Sequence, residues 1–214
     1  FIGKVKDDKG EFSNRVRTGM LISFGVYAVL SAVVLIFAEP LLTLMATDAS
    51  IMEASASYIR IESIANIFSI LTQFALVALV TVNKSKYLYA LTGARLVLCL
   101  ISDTFLVSTL PVSANLGVNG IGYSNIIVNA LLLVVSLILL AKEGIKVFGK
   151  AKLNFVWTKE FAKVGGISGM ESLVRNVAYM VMIARMVNVV GEQGTYWVAN
   201  NFIWGWLLLP VLQL

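Results

Sequence analysis

Ionisable side chains inside apolar stretches are the residues of this 214-residue chain that could do chemistry, because a charge at membrane depth is costly and is usually paired or functional. These residues are Arg60, Glu62, Arg95, Asp103, Glu171, Arg175 and Arg185. Asp103 stands apart, since no oppositely charged residue lies one helical turn away, and Cys99 shares its helix face. Such an acid could bind a cation or carry a proton. It could also hydrogen-bond between helices purely as packing glue.

The other charged residues have simpler interpretations. Glu171 and Arg175 lie four residues apart with the acid first, which predicts a self-neutralising helical ion pair. A directly functional Glu171 is the alternative. Arg60 and Glu62 point to different sides of a helix, and we expect Arg60 to reach the lipid headgroups. Arg95 lies deeper and should pair with an acid on another helix.

Two residue counts exclude most enzyme classes. The chain has no histidine and a single cysteine, Cys99. It therefore offers no zinc site, no usual haem site, no disulfide and no Ser-His-Asp triad. An intramembrane aspartyl enzyme would need a facing pair of acids, which the sequence does not offer. We predict that the chain is not an enzyme and holds neither a metal nor a covalent cofactor.

The composition is that of a membrane protein. Hydrophobic residues make up 58% of the chain and charged residues 14%, against roughly 45–50% and 25% in a soluble domain. The mean hydropathy is +0.85. Apolar stretches long enough to cross a bilayer recur along the chain. They predict an all-α, polytopic helix bundle with spans near residues 18–38, 57–82, 87–110, 120–141 and 162–190 and a sixth beginning near 195.

The positive charges alternate between the two sides of these spans. They fall before the first span, in the second connector and around the fourth: Lys4, Lys6, Lys9, Arg15, Arg17; Lys84, Lys86; Lys142, Lys146, Lys150, Lys152, Lys159 and Lys163. The other connectors, which include Glu39 to Ala56 and Pro111 to Asn119, contain no Lys or Arg. By the positive-inside rule the N-terminal segment is cytoplasmic. Basic residues confined to loops also argue against nucleic acid as a partner.

Four segments resemble one family of transporters. They are the basic stretch from Gly3 to Arg17; Phe37-Ala-Glu-Pro-Leu-Leu with Tyr58-Ile-Arg-Ile61; Leu116-Gly-Val-Asn-Gly-Ile-Gly122; and Phe161 to Gly169. In this order they resemble the segments around helices three, four, six and seven of the multidrug and toxic compound extrusion (MATE) family. That register implies a piece containing about helices three to eight of twelve.

The resemblance implies a two-lobe transporter in the cell membrane that works as a single full-length chain. Residues 1–141 would belong to the N-terminal lobe, residues 142–161 to a cytoplasmic linker and residues 162–214 to the start of the second lobe. Such a protein exports small amphipathic or cationic substrates in exchange for Na⁺ or H⁺. A related flippase for lipid-linked oligosaccharides is the alternative, because interior arginines could bind an anionic pyrophosphate lipid.

The resemblance also implies a coupling site. Asp103 matches the acid of an N-x-x-x-D pair on helix five, in which Cys99 replaces the asparagine. Asn125 takes the place of a hydroxyl residue on helix six, and its carbonyl oxygen could serve a hard cation. Some members carry an acid on helix seven; Arg175 occupies that position here, and Glu171 lies one turn earlier. Met170, Tyr179 and Met182 could line a substrate cavity, although ordinary packing is the better explanation of these residues.

The charge alternation gives a testable topology. In a background in which Cys99 is replaced, a cysteine at Asn115 should react from outside with a membrane-impermeant maleimide, and a cysteine at Ser85 should not. The reason is that lysines flank Ser85, whereas residues 111–119 carry no charge. External labelling at Ser85 without labelling at Asn115 would reverse the orientation.

Overall fold

The protein is all-α in a computed structural model that describes residues 2–45, 47–148, 153, 155–182 and 193–203. The helices are α1 (Lys9–Leu44), α2 (Met52–Thr81), α3 (Lys86–Leu106), α4 (Val118–Lys142), α5 (Thr158–Met182) and α6 (Gln193–Phe202). Short 3-10 turns cover Gly3–Val5 and Ala49–Ile51, and the described part of the chain contains no strand. The predicted fold class is confirmed.

Four helices are long and apolar enough to cross a membrane. They are α1, α2 with the turn before it, α3 and α4, so the first four predicted spans are confirmed. Helix α5 covers most of the predicted fifth span. It is not among the four, since Glu171, Arg175 and Asn176 lower its mean hydropathy. Helix α6 begins close to the predicted sixth span, and residues 204–214 lie outside the described part.

Helix α1 is longer than the sequence predicted. Asp8 caps its start, because the carboxylate accepts hydrogen bonds from the backbone N–H groups of Gly10 (2.9 Å) and Glu11 (3.1 Å). The prediction that a connector begins at Glu39 is wrong, since the helix continues to Leu44 with Pro40 inside it. Proline lacks an N–H and its ring crowds the carbonyl four residues earlier, so the helix kinks at Phe37 (φ −107°, ψ 22°) instead of ending.

Helices α1 to α4 pack as successive antiparallel neighbours with α2 at the centre. Helix α2 contacts α1, α3 and α4. At one end, an apolar cluster joins the start of α1, the end of α2 and the end of α4; its buried members are Phe12, Val16, Met20, Ala75, Ala78, Leu79, Leu140 and Ile145. At the other end, Ala38 and Leu42 of α1 meet Ala56 of α2. Lys9 at the start of α1, Lys84 after α2 and Lys142 at the end of α4 therefore lie at the same end of the bundle.

Glycines allow the helices to approach closely. A methyl group on Gly122 of α4 would lie 2.8 Å from Ile61 Cγ2 of α2. A methyl group on Gly120 would lie 2.7 Å from the carbonyl oxygen of Leu106, at the end of α3. Small residues of this kind are typical of helix contacts in membranes, where packing replaces the hydrophobic effect as the driving force.

An ion pair closes the lysine-bearing end. Lys84 Nζ, between α2 and α3, lies 2.9 Å from Glu143 Oε2, which follows α4. The Tyr87 hydroxyl donates a second hydrogen bond to Glu143 Oε1 at 3.1 Å. The hydrogen bond between Lys84 and Glu143 lowers the pKa of the Glu143 carboxyl and raises the pKa of the Lys84 ammonium. The contact ties the α2–α3 connector to the end of α4.

Helices α5 and α6 contact each other through aromatic side chains. The Tyr196 hydroxyl donates to the Tyr179 hydroxyl at 3.4 Å. The rings of Tyr179 and Trp197 meet edge to face with centroids 6.1 Å apart. Helix α5 buries none of its described residues.

The Gly122 contact predicts a destabilising substitution. Gly122→Ala should lower the free energy of unfolding by about 1–3 kcal/mol, because the added methyl group forces α2 and α4 apart. Gly25→Ala is the matched control, since nothing lies within 4 Å of the added methyl and alanine favours a helix. Thermal unfolding in detergent measures both. Ile61→Ala should partly rescue Gly122→Ala, and equal stability of the two glycine variants would contradict the contact.

The ion pair predicts a pH-dependent stability. Because the pKa of Glu143 is lowered from its ordinary 4.5, the pair stabilises the fold above that value and the stabilisation is lost as the pH falls through the lowered pKa. Lys84→Gln should therefore give a small decrease in Tm at pH 7, and the difference from wild type should shrink in acid. Lys142→Gln, an exposed lysine at the same end, should show no such pH dependence. A constant difference at all pH values would argue against the pair.

Candidate functional site

Glu62 and Asn125 form a hydrogen bond across the α2–α4 contact. Asn125 Nδ2 donates to Glu62 Oε2 at 2.9 Å, and both side chains are half-buried. The close approach of Gly122 to Ile61, one residue before Glu62, brings the two helices near enough for these short side chains to meet. Asn125 was predicted as a site residue; Glu62 was not. The sequence does contain an indication for Glu62, because Glu62 and Arg60 lie on different faces of the helix and therefore do not neutralise each other.

Arg60 is held on another side of α2. Its Nη2 lies 3.2 Å from Glu39 Oε1 of α1, and its Nε donates to the carbonyl oxygen of Leu35 at 3.2 Å. The expectation that Arg60 reaches the lipid headgroups stays a prediction, and the structure adds a pair with Glu39. The two side chains are 38% and 62% exposed, so the pair adds little stability. Because Arg60 is paired with Glu39, the arginine nearest to Glu62 in the sequence does not neutralise the Glu62 carboxylate.

Asp103 lies near the end of α3 and is half-buried. Its backbone carbonyl accepts from the N–H groups of Val107 (2.9 Å) and Ser108 (3.1 Å). Its carboxylate makes no hydrogen bond or ion pair with any residue that the structure describes. Leu106, near the end of α3, lies against Gly120 of the antiparallel helix α4. Asp103 lies about 4.5 Å along α3 from Leu106, and Asn125 lies about 7.5 Å along α4 from Gly120 in the same direction. Asp103 and Asn125 are therefore at nearly the same depth.

Cys99 packs as an apolar residue. It is half-buried against the cluster of Leu91, Val128 and Leu132, which joins α3 to α4. A free cysteine in such a place behaves as a small hydrophobic residue. Its predicted part in ion coupling stays a prediction.

Further polar groups line the α2–α4 interface around Asn125. Asn129 Nδ2 donates to the carbonyl oxygen of Asn125 at 2.9 Å, and Thr72 Oγ1 donates to the carbonyl oxygen of Asn129 at 3.3 Å. Ser124, next to Asn125 in the chain, is 1% exposed, and its hydroxyl has no hydrogen-bond partner among the described residues. Oxygen-rich side chains are therefore concentrated in this part of an otherwise apolar interface.

The remaining charged candidates lie on the surface of the described part. Glu171 and Arg175 are both exposed, and the ion pair predicted between them is not formed in the structure. Arg95 is exposed on α3 rather than paired inside the bundle. Arg185 lies outside the described residues.

The predicted role of Met170, Tyr179 and Met182 in lining a substrate cavity stays a prediction. Met170 is 61% exposed, whereas Tyr179 and Met182 are half-buried. Tyr179 uses its ring and hydroxyl in contacts with Trp197 and Tyr196. Across the described ranges, no group of three His, Cys, Asp or Glu side chains is placed to hold a metal ion.

Comparison with known proteins finds a similarity to one family. A family model described as MatE matches residues 6–106, slightly less than half of the chain. The matched range contains α1 to α3 and therefore Glu62, Cys99 and Asp103, and it ends before Asn125. Searches of curated proteins and of solved structures returned no match. The resemblances beyond residue 106, and the place of the chain within twelve helices, stay predictions. The match over residues 6–106 supports the MatE family of transporters, and the four apolar helices support a multi-pass membrane protein.

Proposed function

We propose that this chain is part of an exporter that exchanges small amphipathic or cationic substrates for Na⁺ or H⁺ across the cell membrane. The observation that carries the proposal is the placement of Asp103, in a span matched by the MatE family model, close to the depth of Asn125 and without a basic partner among the described residues. A carboxylate in that setting is stabilised when a cation or proton arrives, so it can exchange charge with the substrate.

In this proposal Asp103 and Asn125 have different roles in binding the coupling ion. Asp103 supplies the charge that the coupling ion neutralises, and the Asn125 carbonyl supplies a neutral oxygen ligand of the kind that Na⁺ accepts. Residues 1–141 form the N-terminal-lobe portion, residues 142–161 the cytoplasmic linker and residues 162–214 the start of the second lobe. The N-terminal segment faces the cytoplasm. No covalent cofactor takes part.

The flippase alternative gains less support from the arginines. An anionic lipid pyrophosphate would need several cations facing one cavity. Arg60 is instead engaged with Glu39 on the α1 side of α2, and Arg95 and Arg175 are exposed on different helices.

Asp103→Asn should abolish ion-driven export, because the amide removes the exchangeable charge while keeping nearly the same shape. The matched control is Asp48→Asn, an acid outside the spans whose carboxylate accepts from Ser50 N at 2.8 Å and whose capping role asparagine can replace. Substrate efflux driven by a Na⁺ or a proton gradient, compared at equal protein level, measures the effect. Unchanged efflux in Asp103→Asn would refute the role of this residue.

A further inference from the structure

Glu62 is a carboxylate in a membrane span whose charge is not neutralised within the described part of the chain. It lies about 15 Å along α2 from the first residue of that helix. Arg60 is engaged with Glu39, and no described Lys or Arg forms an ion pair with Glu62. Its hydrogen-bond partner is the neutral amide of Asn125. A single neutral donor compensates the burial of a carboxylate only in part.

The surroundings of Glu62 offer oxygen ligands rather than cations. The Asn125 side-chain amide donates through Nδ2, so its side-chain oxygen Oδ1 stays available as an acceptor beside the carboxylate. Tyr58 lies one turn before Glu62 on the same face of α2. Carboxylate, amide and hydroxyl oxygens suit a hard monovalent cation, and the carboxylate alone suits a proton.

Contacts other than the Glu62–Asn125 hydrogen bond also join α2 to α4. Gly122 packs against Ile61, and Thr72 donates to the Asn129 carbonyl. A glutamine at position 62 would accept the same hydrogen bond from Asn125 with nearly the same volume, so we expect Glu62→Gln to fold.

We propose that Glu62 of α2, together with Asn125 of α4, binds the coupling cation, so that the exchange involves an acid on α2 in addition to Asp103 on α3. This inference rests on the proposed ion-coupled export for its physiological meaning. Cation binding at Glu62 can nevertheless be measured on the protein without any substrate.

The first test uses unmodified protein. The purified full-length protein is treated with a hydrophobic carbodiimide, and modification of Glu62 is followed by peptide mass spectrometry in Na⁺ or in choline at one pH. Protection of Glu62 by Na⁺ is the expected result for a Na⁺ site. For a proton site we expect modification to rise as the pH falls, and Na⁺ to have no effect. Modification that responds to neither Na⁺ nor pH would overturn the inference.

The second test uses Glu62→Gln with Glu53→Gln as the matched control. Glu62→Gln should lower the cation affinity by roughly tenfold or more. The loss is read as a weaker Na⁺-induced increase in thermal stability or as less proton release when substrate binds. Glu53→Gln removes an exposed acid in the first turn of the same helix and should leave both signals unchanged. Equal cation responses in wild type and Glu62→Gln would sink the proposal.

A reversed pair separates ion binding from a structural role. Glu62→Gln combined with Asn125→Asp keeps one carboxylate and one amide in hydrogen-bond contact, with their positions exchanged. We expect this variant to regain part of the cation response that Glu62→Gln loses. A purely structural hydrogen bond predicts that Glu62→Gln already behaves as wild type, since glutamine keeps the bond.

Transport measurements distinguish failure of this inference from failure of the proposed function. In proteoliposomes, Glu62→Gln should retain substrate–substrate exchange and lose accumulation driven by an ion gradient. If wild type shows no gradient-driven accumulation with either ion, the proposed function fails, while cation protection of Glu62 still decides the binding site. If wild type accumulates substrate and Glu62→Gln does so equally, the inference about Glu62 is wrong.

Discussion

The close contact between α2 and α4 is the interaction on which the rest of the bundle depends. In hydrocarbon no water satisfies a polar group, so each one must find its partner inside the protein. Gly122 lets α4 approach Ile61 of α2, and at that separation short side chains bridge the two helices. Asn125 reaches Glu62, and Thr72 reaches the carbonyl oxygen of Asn129. The same approach that packs the bundle therefore creates its polar interior.

Charge is distributed unevenly over the faces of α2. The kink of α1 at Phe37, caused by Pro40, lies close to Leu35 and Glu39, which together hold Arg60. Because that arginine is engaged toward α1, the face toward α4 carries Glu62 with a neutral partner. Two residues separated by one position thus have opposite electrostatic surroundings, one partly exposed and paired, the other half-buried and paired only with an amide.

The sequence predicted the features that follow from periodicity and composition. Four spans, the common end of Lys9, Lys84 and Lys142 and the MATE resemblance over residues 6–106 were confirmed. It did not predict that α1 continues past Pro40, because a proline usually ends a helix unless a kink absorbs it. It could not identify Asn125 as the partner of Glu62, since that pairing depends on how closely two distant helices approach. The Glu171–Arg175 pair had favourable spacing, but both side chains lie exposed on a helix that buries none of its described residues.

The positions of the two acids give them different mechanical connections. Helix α3, which carries Asp103, buries only Leu91 among its residues and packs mainly against α4. Helix α2, which carries Glu62, contacts α1, α3 and α4. A change of charge at Glu62 acts on the helix that contacts the other three, whereas a change at Asp103 acts on a helix that packs mainly against α4. If both acids bind the coupling ion, α4 lies between them through Asn125. Ion binding would then alter the α2–α4 and α3–α4 contacts together, which is how a local charge can bias the arrangement of a packed lobe.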